Sequence, residues 1–499
     1  MPLVGREQIP KRLPLYSPLR TRTSNPPFTK DSRLYNAFAE LDREVEGYQI
    51  FKRPGLGQTP QFSASGAGLG IYTETGNAYI YSVFNNQAYL YNTSGPVFGT
   101  LGTVDSSAPY FFETVGPAIN TNRYVVLGNG TAAYYSLLDS GPPFHRQVFN
   151  RITDPNFPTS FVWGFCNLDG WLFVMDPSGN IWGTNGVNNP TVWSSTNVIV
   201  ASSNADLGVA IAKQLNYLIA FKQYTTQVFY DAGNPTPGSP LGPVPDSQIP
   251  LGCLVGSSVQ QIDNTLLWVS SNQTISPQVV QMDNLVPKIV SNPDVDRILD
   301  NITWTSINPN NNVKSWVLKH AGHRFYGLSL ITNNITLIYD LDQKAWYFWT
   351  DQNGNWWPIT GLAFVPPSNG VEGIHLAQHA SNGNVYPLDG DYNFPTDYGN
   401  IFPVDIYTPN FDGGTARRKF MNMMYFNTDL VRGSVLQARF SDDDYSSWSN
   451  FRNIDLSKNK PRMAQNGTFH FRRAYHFRHA AAVPLRIRSI DLQVDLGTL

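Results

Sequence analysis

The sequence predicts an all-β chain. It reads as a β-propeller of about seven blades, with a β-rich platform domain built from the N- and C-terminal segments. Three observations predict this. First, charged residues make up 14% of the chain, well below the usual share of roughly 25%. The chain is rich instead in the residues of short strands and tight turns: 25 Tyr, 29 Phe, 12 Trp, 40 Gly and 36 Pro. Second, apolar runs recur against Asn, Asp and Gly turns. Their strand ends, Tyr91, Tyr134, Met175, Phe229, Met282, Tyr339 and Tyr386, are spaced 41 to 57 residues apart. That is the repeat length of a four-stranded blade. Third, charge divides by region. Residues 1–53 hold ten Lys/Arg and residues 410–499 hold fourteen, against 14 Asp/Glu in the two together, whereas residues 54–409 carry 11 bases and 23 acids. The two ends therefore form one basic module flanking an acidic middle. Six or eight blades fit the irregular spacing as well, and an elongated row of β-sandwiches is the alternative architecture.

Taken in order, residues 1–53 are expected to be an arm followed by a platform segment. The first 30 residues are rich in Pro and Arg without periodicity, as in a strand-like arm ordered by contact with something else. Asp31–Gly57 offers one short helix and then a strand ending at Pro54-Gly55. Residues 54–404 are expected to form the propeller. Its hairpins turn at Asn85-Asn86 and Asp176–Gly179, and the region shows no helical periodicity. Gly233–Pro250 holds six prolines and reads as a Pro-rich loop unable to enter a sheet interior, serving either a function or an exposed excursion. Residues 405–499 are expected to complete the platform. There Phe469, Phe471, Tyr475 and Phe477 are separated by His470, Arg472, Arg473, His476 and Arg478, and Leu485, Ile487 and Ile490 alternate with Arg486 and Arg488. Period-two patterning puts one greasy and one cationic face on these strands.

Several function classes lose support at this stage. Cys166 and Cys253, the two cysteines, sit in apolar runs and read as buried thiols. The N-terminus lacks a signal-peptide core, and no apolar run approaches the roughly 20 residues that span a bilayer. Synthesis and folding in a cytoplasm are expected. No phosphate-binding loop, dinucleotide fingerprint or nucleophile elbow stands in a supporting context.

The sharpest local motif runs from Ser441 to Ser449. Ser441, Asp443 and Trp448 match the Asp-box hairpin, Ser-x-Asp-x-Gly-x-x-Trp, with Tyr445 in place of glycine. In such a turn the carboxylate accepts backbone N–H groups and the Trp packs beneath. Sialidases carry Asp boxes on propellers, so a carbohydrate-binding or sialidase-like propeller is the alternative function. Catalysis of that kind needs an arginine cluster, and the middle of the chain supplies only Arg123, Arg146, Arg151, Arg297 and Arg324. Asp442–Asp444 as a calcium site, and the pairs His320/His323 and His375/His379 as metal ligands, are weaker readings than solvated turns and ordinary histidines. No metal, cofactor or catalytic residue is expected.

Three stretches carry a family resemblance. Leu34–Glu40 (LYNAFAE) with Phe51–Gly57 (FKRPGLG) resembles the opening of tail hub proteins of short-tailed bacteriophages, also called packaged-DNA stabilisation or tail nozzle proteins. Gly208–Pro240, continuing through Gly252–Gln281, resembles their central region, including Phe229-Tyr230-Asp231-Ala232-Gly233. The Ser441–Trp448 turn, Arg472-Arg473 and Leu485–Val494 resemble their end. The resemblance implies a non-enzymatic virion protein, made in the host cytoplasm. It implies a homohexamer below the portal and adaptor ring that continues the DNA channel, retains packaged genome and conducts its ejection. Double-stranded DNA would pass without sequence specificity. Fibres, spikes or a plug would attach. The basic face of the platform is expected to dock onto neighbouring subunits or tail proteins. Arg417, Arg418, Lys419, Arg472, Arg473 and Arg478 are its candidate assembly interface.

Overall fold

The computed structural model describes residues 9–17, 32–42, 47–74, 79–92, 99–106, 108–117, 123–138, 147–201, 205–235, 237–245, 247–302, 304, 309–367, 373–389 and 394–497. Most of the expected arm, residues 1–8 and 18–31, lies outside them.

Seven four-stranded antiparallel meanders follow one another around a ring. Blades 1 to 6 take residues 68–103, 111–151, 166–200, 208–243, 260–289 and 313–348. Blade 7 draws three strands from Ile359–Val365, Ile374–His379 and Asn384–Asp389. Its outer position is filled from far upstream. Gly55–Leu56 pairs with Leu388 and Asp389, and Phe62–Ser63 with Asn384 and Val385. The ring closes where blade 7 meets blade 1: Gln378 Nε2 donates to Gly70 O and Val83 O, both at 3.0 Å. Of the seven strand ends that set the expected repeat, six fall in the third strand of their blade, and Met175 falls in the second strand of blade 3. Each blade therefore contributes one marker, and the misplaced Met175 helps make the spacing irregular. Two-residue turns set the register: Asn85, at φ 49°, lets Phe84 pair with Gln87.

The platform is a β-sandwich that is continuous with blade 6. Arg33–Tyr35 pairs in parallel with the last strand of blade 6, Tyr35 opposite Phe348. Val404–Tyr407, Ala474–His479, Val435–Ser441 and Arg452–Asp455 then extend the sheet to nine strands. A seven-stranded sheet covers it, with Ala37–Asp42, Gly47–Lys52, Arg486–Leu496, Lys419–Thr428 and Arg462–Ala464 in order. Ile9–Arg12 pairs with Arg486–Leu496, and Leu13, Leu15 and Tyr16 enter the core. The described part of the arm thus docks on its own platform. One apolar cluster runs from the sandwich into blades 6 and 7, from Val494 and Phe477 to Trp316, Trp349 and Trp357.

Three expectations are corrected. Asp31–Gly57 forms strands rather than a helix, because Leu34, Ala37, Phe38, Ala39 and Ile50 are all buried between two sheets. A helix stands at Pro293–Asp300 instead, capped by Asn292 Oδ1, which accepts the N–H groups of Asp294 and Val295 at 3.2 and 3.0 Å. The Pro-rich stretch also joins a sheet, since Leu241–Pro243 is the outer strand of blade 4. An edge position needs no proline N–H.

Where propeller and platform meet, Arg53 is 2% exposed. Its five N–H groups find five acceptors: Asn36 Oδ1 (2.9 Å), Pro54 O (2.9 Å), Thr350 O (3.0 Å) and the Asp397 carboxylate (3.0 and 2.5 Å). Phe402 lies 3.7 Å under the guanidinium, and Trp357 Nε1 donates to Asp397 at 3.2 Å. Asn36, in the left-handed region at φ 55°, also accepts Thr350 N–H at 2.7 Å and donates to Pro403 O at 2.8 Å. Gly55 must be glycine for the next step, since a Cβ there would stand 2.3 Å from Phe394 O.

Asp397→Ala should cost about 3–5 kcal/mol, because it strands a buried guanidinium. Urea unfolding measures the loss. The double substitution Arg53→Met/Asp397→Leu should recover much of it, and a loss as large in the double variant would contradict the ion-pair account.

Candidate assembly interface in the platform

The Asp-box-like turn is built as the sequence suggests, with one addition. Asp443 Oδ1 accepts Ser447 N–H at 2.9 Å and the Ser441 hydroxyl at 2.8 Å, and Oδ2 accepts the Ser447 hydroxyl at 2.6 Å. Those bonds from Ser447 and Ser441 pull the Asp443 carboxyl down to about 2. Tyr445 occupies the glycine position at φ 64°. The ring goes inward (7% exposed) and its hydroxyl donates to Thr408 O at 2.6 Å. Trp448 packs edge-on against Tyr445, Tyr407 and His476 at 5.7–5.9 Å. The tyrosine thus ties the turn to the core. The neighbouring acids diverge. Asp442 holds Arg473 at 2.6 and 2.7 Å, while Asp444 meets Arg472 at 3.2 Å and Asn410 at 2.9 Å. Among the described residues, no group of three or more His, Cys, Asp or Glu is placed to hold a metal ion.

The six expected interface cations divide into two kinds. Lys419 is fully buried. Its ammonium donates to four carbonyls, of Thr415 (2.5 Å), Arg417 (3.0 Å), His470 (2.6 Å) and Phe471 (3.2 Å). Arg473 is 1% exposed, clamped by Asp442 and stacked 3.9 Å from Phe440. Neither has a surface to offer. Arg417 and Arg418 are exposed, and Arg472 and Arg478 are half-exposed in pairs with Asp444 and Asp405. The expected cationic face is therefore broken up. His476 stacks on Tyr407 at 4.0 Å and bonds Asp405 at 2.6 Å, so both faces of Ala474–His479 are covered. Phe471 is the converse case. Regular pairing stops between Phe469 and Ala474, alternation lapses there, and Phe471 stands 75% exposed.

Buried histidines give the fold an acid limit. Burial pushes His379 down to about 4, and its Nδ1 accepts two backbone N–H groups at 3.2 Å. Burial pushes His479 to about 3. The propeller arginines do not converge. Arg123 pairs with Glu74 at 3.1 Å, Arg297 with Asp294 at 2.6 Å and Arg324 with Asp342 at 2.7 Å. Arg151 is exposed on the outer strand of blade 2, and Arg146 lies outside the described residues.

A family model described as "Bacteriophage P22 Gp10, beta-propeller" matches residues 27–364. The chain belongs to that family. Membership makes it a structural protein of the phage tail. No curated protein matches significantly. Solved structures with a similar outline include the N-terminal domain of Nup159, at 10% identity over 72% of this chain and 99% of that one, with a TM-score of 0.41. PorZ of the Porphyromonas gingivalis type-IX secretion system is another, at 9% identity over 78% of this chain and 46% of that one, with a TM-score of 0.39. Similarity at that level adds nothing about this chain.

The matched region of this P22 Gp10 relative includes Asn36, Arg53 and Thr350 but not their partner Asp397. Reading the sequence alone found the LYNAFAE and FKRPGLG stretches without their purpose, because Asp397 lies 344 positions from Arg53. An arginine next to Pro-Gly in an apolar strand was the available signal.

Lys419→Ala should cost about 1–3 kcal/mol by leaving buried carbonyls unpaired, while Arg417→Ala/Arg418→Ala should leave stability within about 0.5 kcal/mol; denaturant titration separates them. For His379 and His479 the folded pKa lies below the unfolded value of about 6.5. The unfolded chain then binds more protons, and stability falls as pH drops from about 6.5 toward 4. Each histidine should remove about 2 kcal/mol between pH 7.5 and pH 5. A His379→Asn variant should flatten the slope, and an unchanged slope would count against it.

Proposed function

We propose that this chain is a subunit of a hexameric tail nozzle or hub. The ring extends the DNA channel below the portal and adaptor, retains packaged genome and conducts its ejection. Membership in the P22 Gp10 family carries this reading. The charge distribution supports it: residues 54–409 hold 23 acids against 11 bases, and an acidic wall repels phosphates and lets duplex DNA slide where a basic wall would hold it. The rigid joint at Arg53 suits a load-bearing part. Fibres, spikes or a plug attach outside the channel, and the protein resides in the virion tail. Exposed Arg417 and Arg418 serve assembly; Lys419 and Arg473 serve the fold. No observation favours the carbohydrate-active alternative. The Asp-box-like turn lies in the platform rather than on a blade, and the described propeller arginines are spread over separate elements.

Electron microscopy of the purified chain with its adaptor ring tests the proposal. A six-fold ring with a lumen wider than duplex DNA is the expected image. A persistent monomer beside the assembled adaptor would overturn it. Arg417→Ala/Arg418→Ala should lower ring yield without lowering the melting temperature.

A further inference from the structure

No other large apolar side chain among the described residues is as exposed as Phe471. It stands beside a cleft of about 630 Å³ lined by Asp412, Asp442, Asp443, Asp444 and Arg472. An apolar knob in an acidic setting is costly to leave in water and marks a contact. A fitting recess exists elsewhere on the same platform. A pocket of about 220 Å³ has Phe38, Phe51, Val431 and Leu485 in its wall, and Lys52 and Arg486 against the carboxylate of Asp429. The cleft is rich in acid and the pocket in base, so the two rims are complementary in sign.

Their positions exclude a meeting within one chain. Phe471 adjoins the beginnings of Lys419–Thr428 and Ala474–His479, as the bond from Lys419 to Phe471 O shows. Asp429 and Val431 follow the end of the first strand, and Pro484 and Leu485 follow the end of the second. A ten-residue strand spans roughly 33 Å. Knob and recess therefore lie at opposite ends of the same sandwich. Such an arrangement joins copies head to tail, and a head-to-tail contact closes into a ring when the rotation permits.

We propose that Phe471 of one copy seats in the pocket bounded by Phe51 and Leu485 on the next copy, linking platforms in series. The inference rests on the ring reading above and names the contact that would build it.

Complementary blocking of the full chain tests it. Phe471→Asp removes the knob, and Val431→Trp fills the recess. Light scattering should find each variant alone monomeric, with ring formation weakened at least tenfold, and Phe471→Asp should melt at the wild-type temperature. Mixed together, each chain still owns one intact half, so the mixture should form dimers that cannot grow. Should Val431→Trp fail to fold, Arg486→Glu takes its place. Normal rings from Phe471→Asp would overturn this contact and leave the ring reading standing. Mixtures that stay monomeric, while each variant is folded and wild type forms rings, would also overturn it. Wild type that never forms a ring with its adaptor would overturn the reading and the contact together.

Discussion

A buried guanidinium is tolerated only where every N–H finds an oxygen and a carboxylate balances the charge. Arg53 meets that condition with acceptors from four places in the chain: the platform crossover at Asn36, its own neighbour Pro54, the exit of blade 6 at Thr350, and Asp397 beyond blade 7. Moving any of these leaves a charge or a donor unpaired in a dry core. The condition fixes where the chain crosses from one platform sheet to the other, where blade 7 receives its outer strand, and how the platform sits on the propeller. Trp349, Trp357 and Phe402 line the same spot, so the polar knot is sealed by aromatic packing.

The platform shows how a basic sequence can yield a largely neutral sheet. Asp405 serves His476 and Arg478, Asp442 serves Arg473, Asp444 serves Arg472, and Asp429 serves Arg488. Acids scattered over 90 positions are gathered against the cations by strand pairing. What remains exposed is a sparser set, including Arg417, Arg432, Lys460 and Arg462. Regional net charge is therefore a poor guide to any one face, because partners distant in sequence cancel it locally.

Much of the fold was legible because blades are local. A meander pairs neighbours, and turn residues such as Asn85 and Asp176 announce each hairpin in the sequence. The Ser441–Trp448 turn was legible for the same reason. Long-range features were not. Nothing near Lys419 reveals that four carbonyls enclose it, since two belong to residues 470 and 471. Arg473 looked like a surface cation until Asp442 and Phe440 closed around it. Phe471 fitted an alternating pattern that the chain abandons at that point, and a single interrupted strand reverses which residues face water. Tyr445 was readable as a departure from glycine but not as an anchor, because its hydroxyl partner, Thr408, is 37 positions away.

The outer strand of blade 7 has a consequence in time. Leu56 pairs with Leu388, so one of the earliest segments to be made waits for one made far later. At about 5–20 residues per second during synthesis, that wait lasts on the order of tens of seconds. Through it, blades 1 to 6 can form as each meander is completed, while the segment around Leu56 has no strand to join. The ring is closed by a latch whose two halves leave the ribosome at opposite ends of the process, and the nascent chain stays an open arc until nearly the whole of it exists.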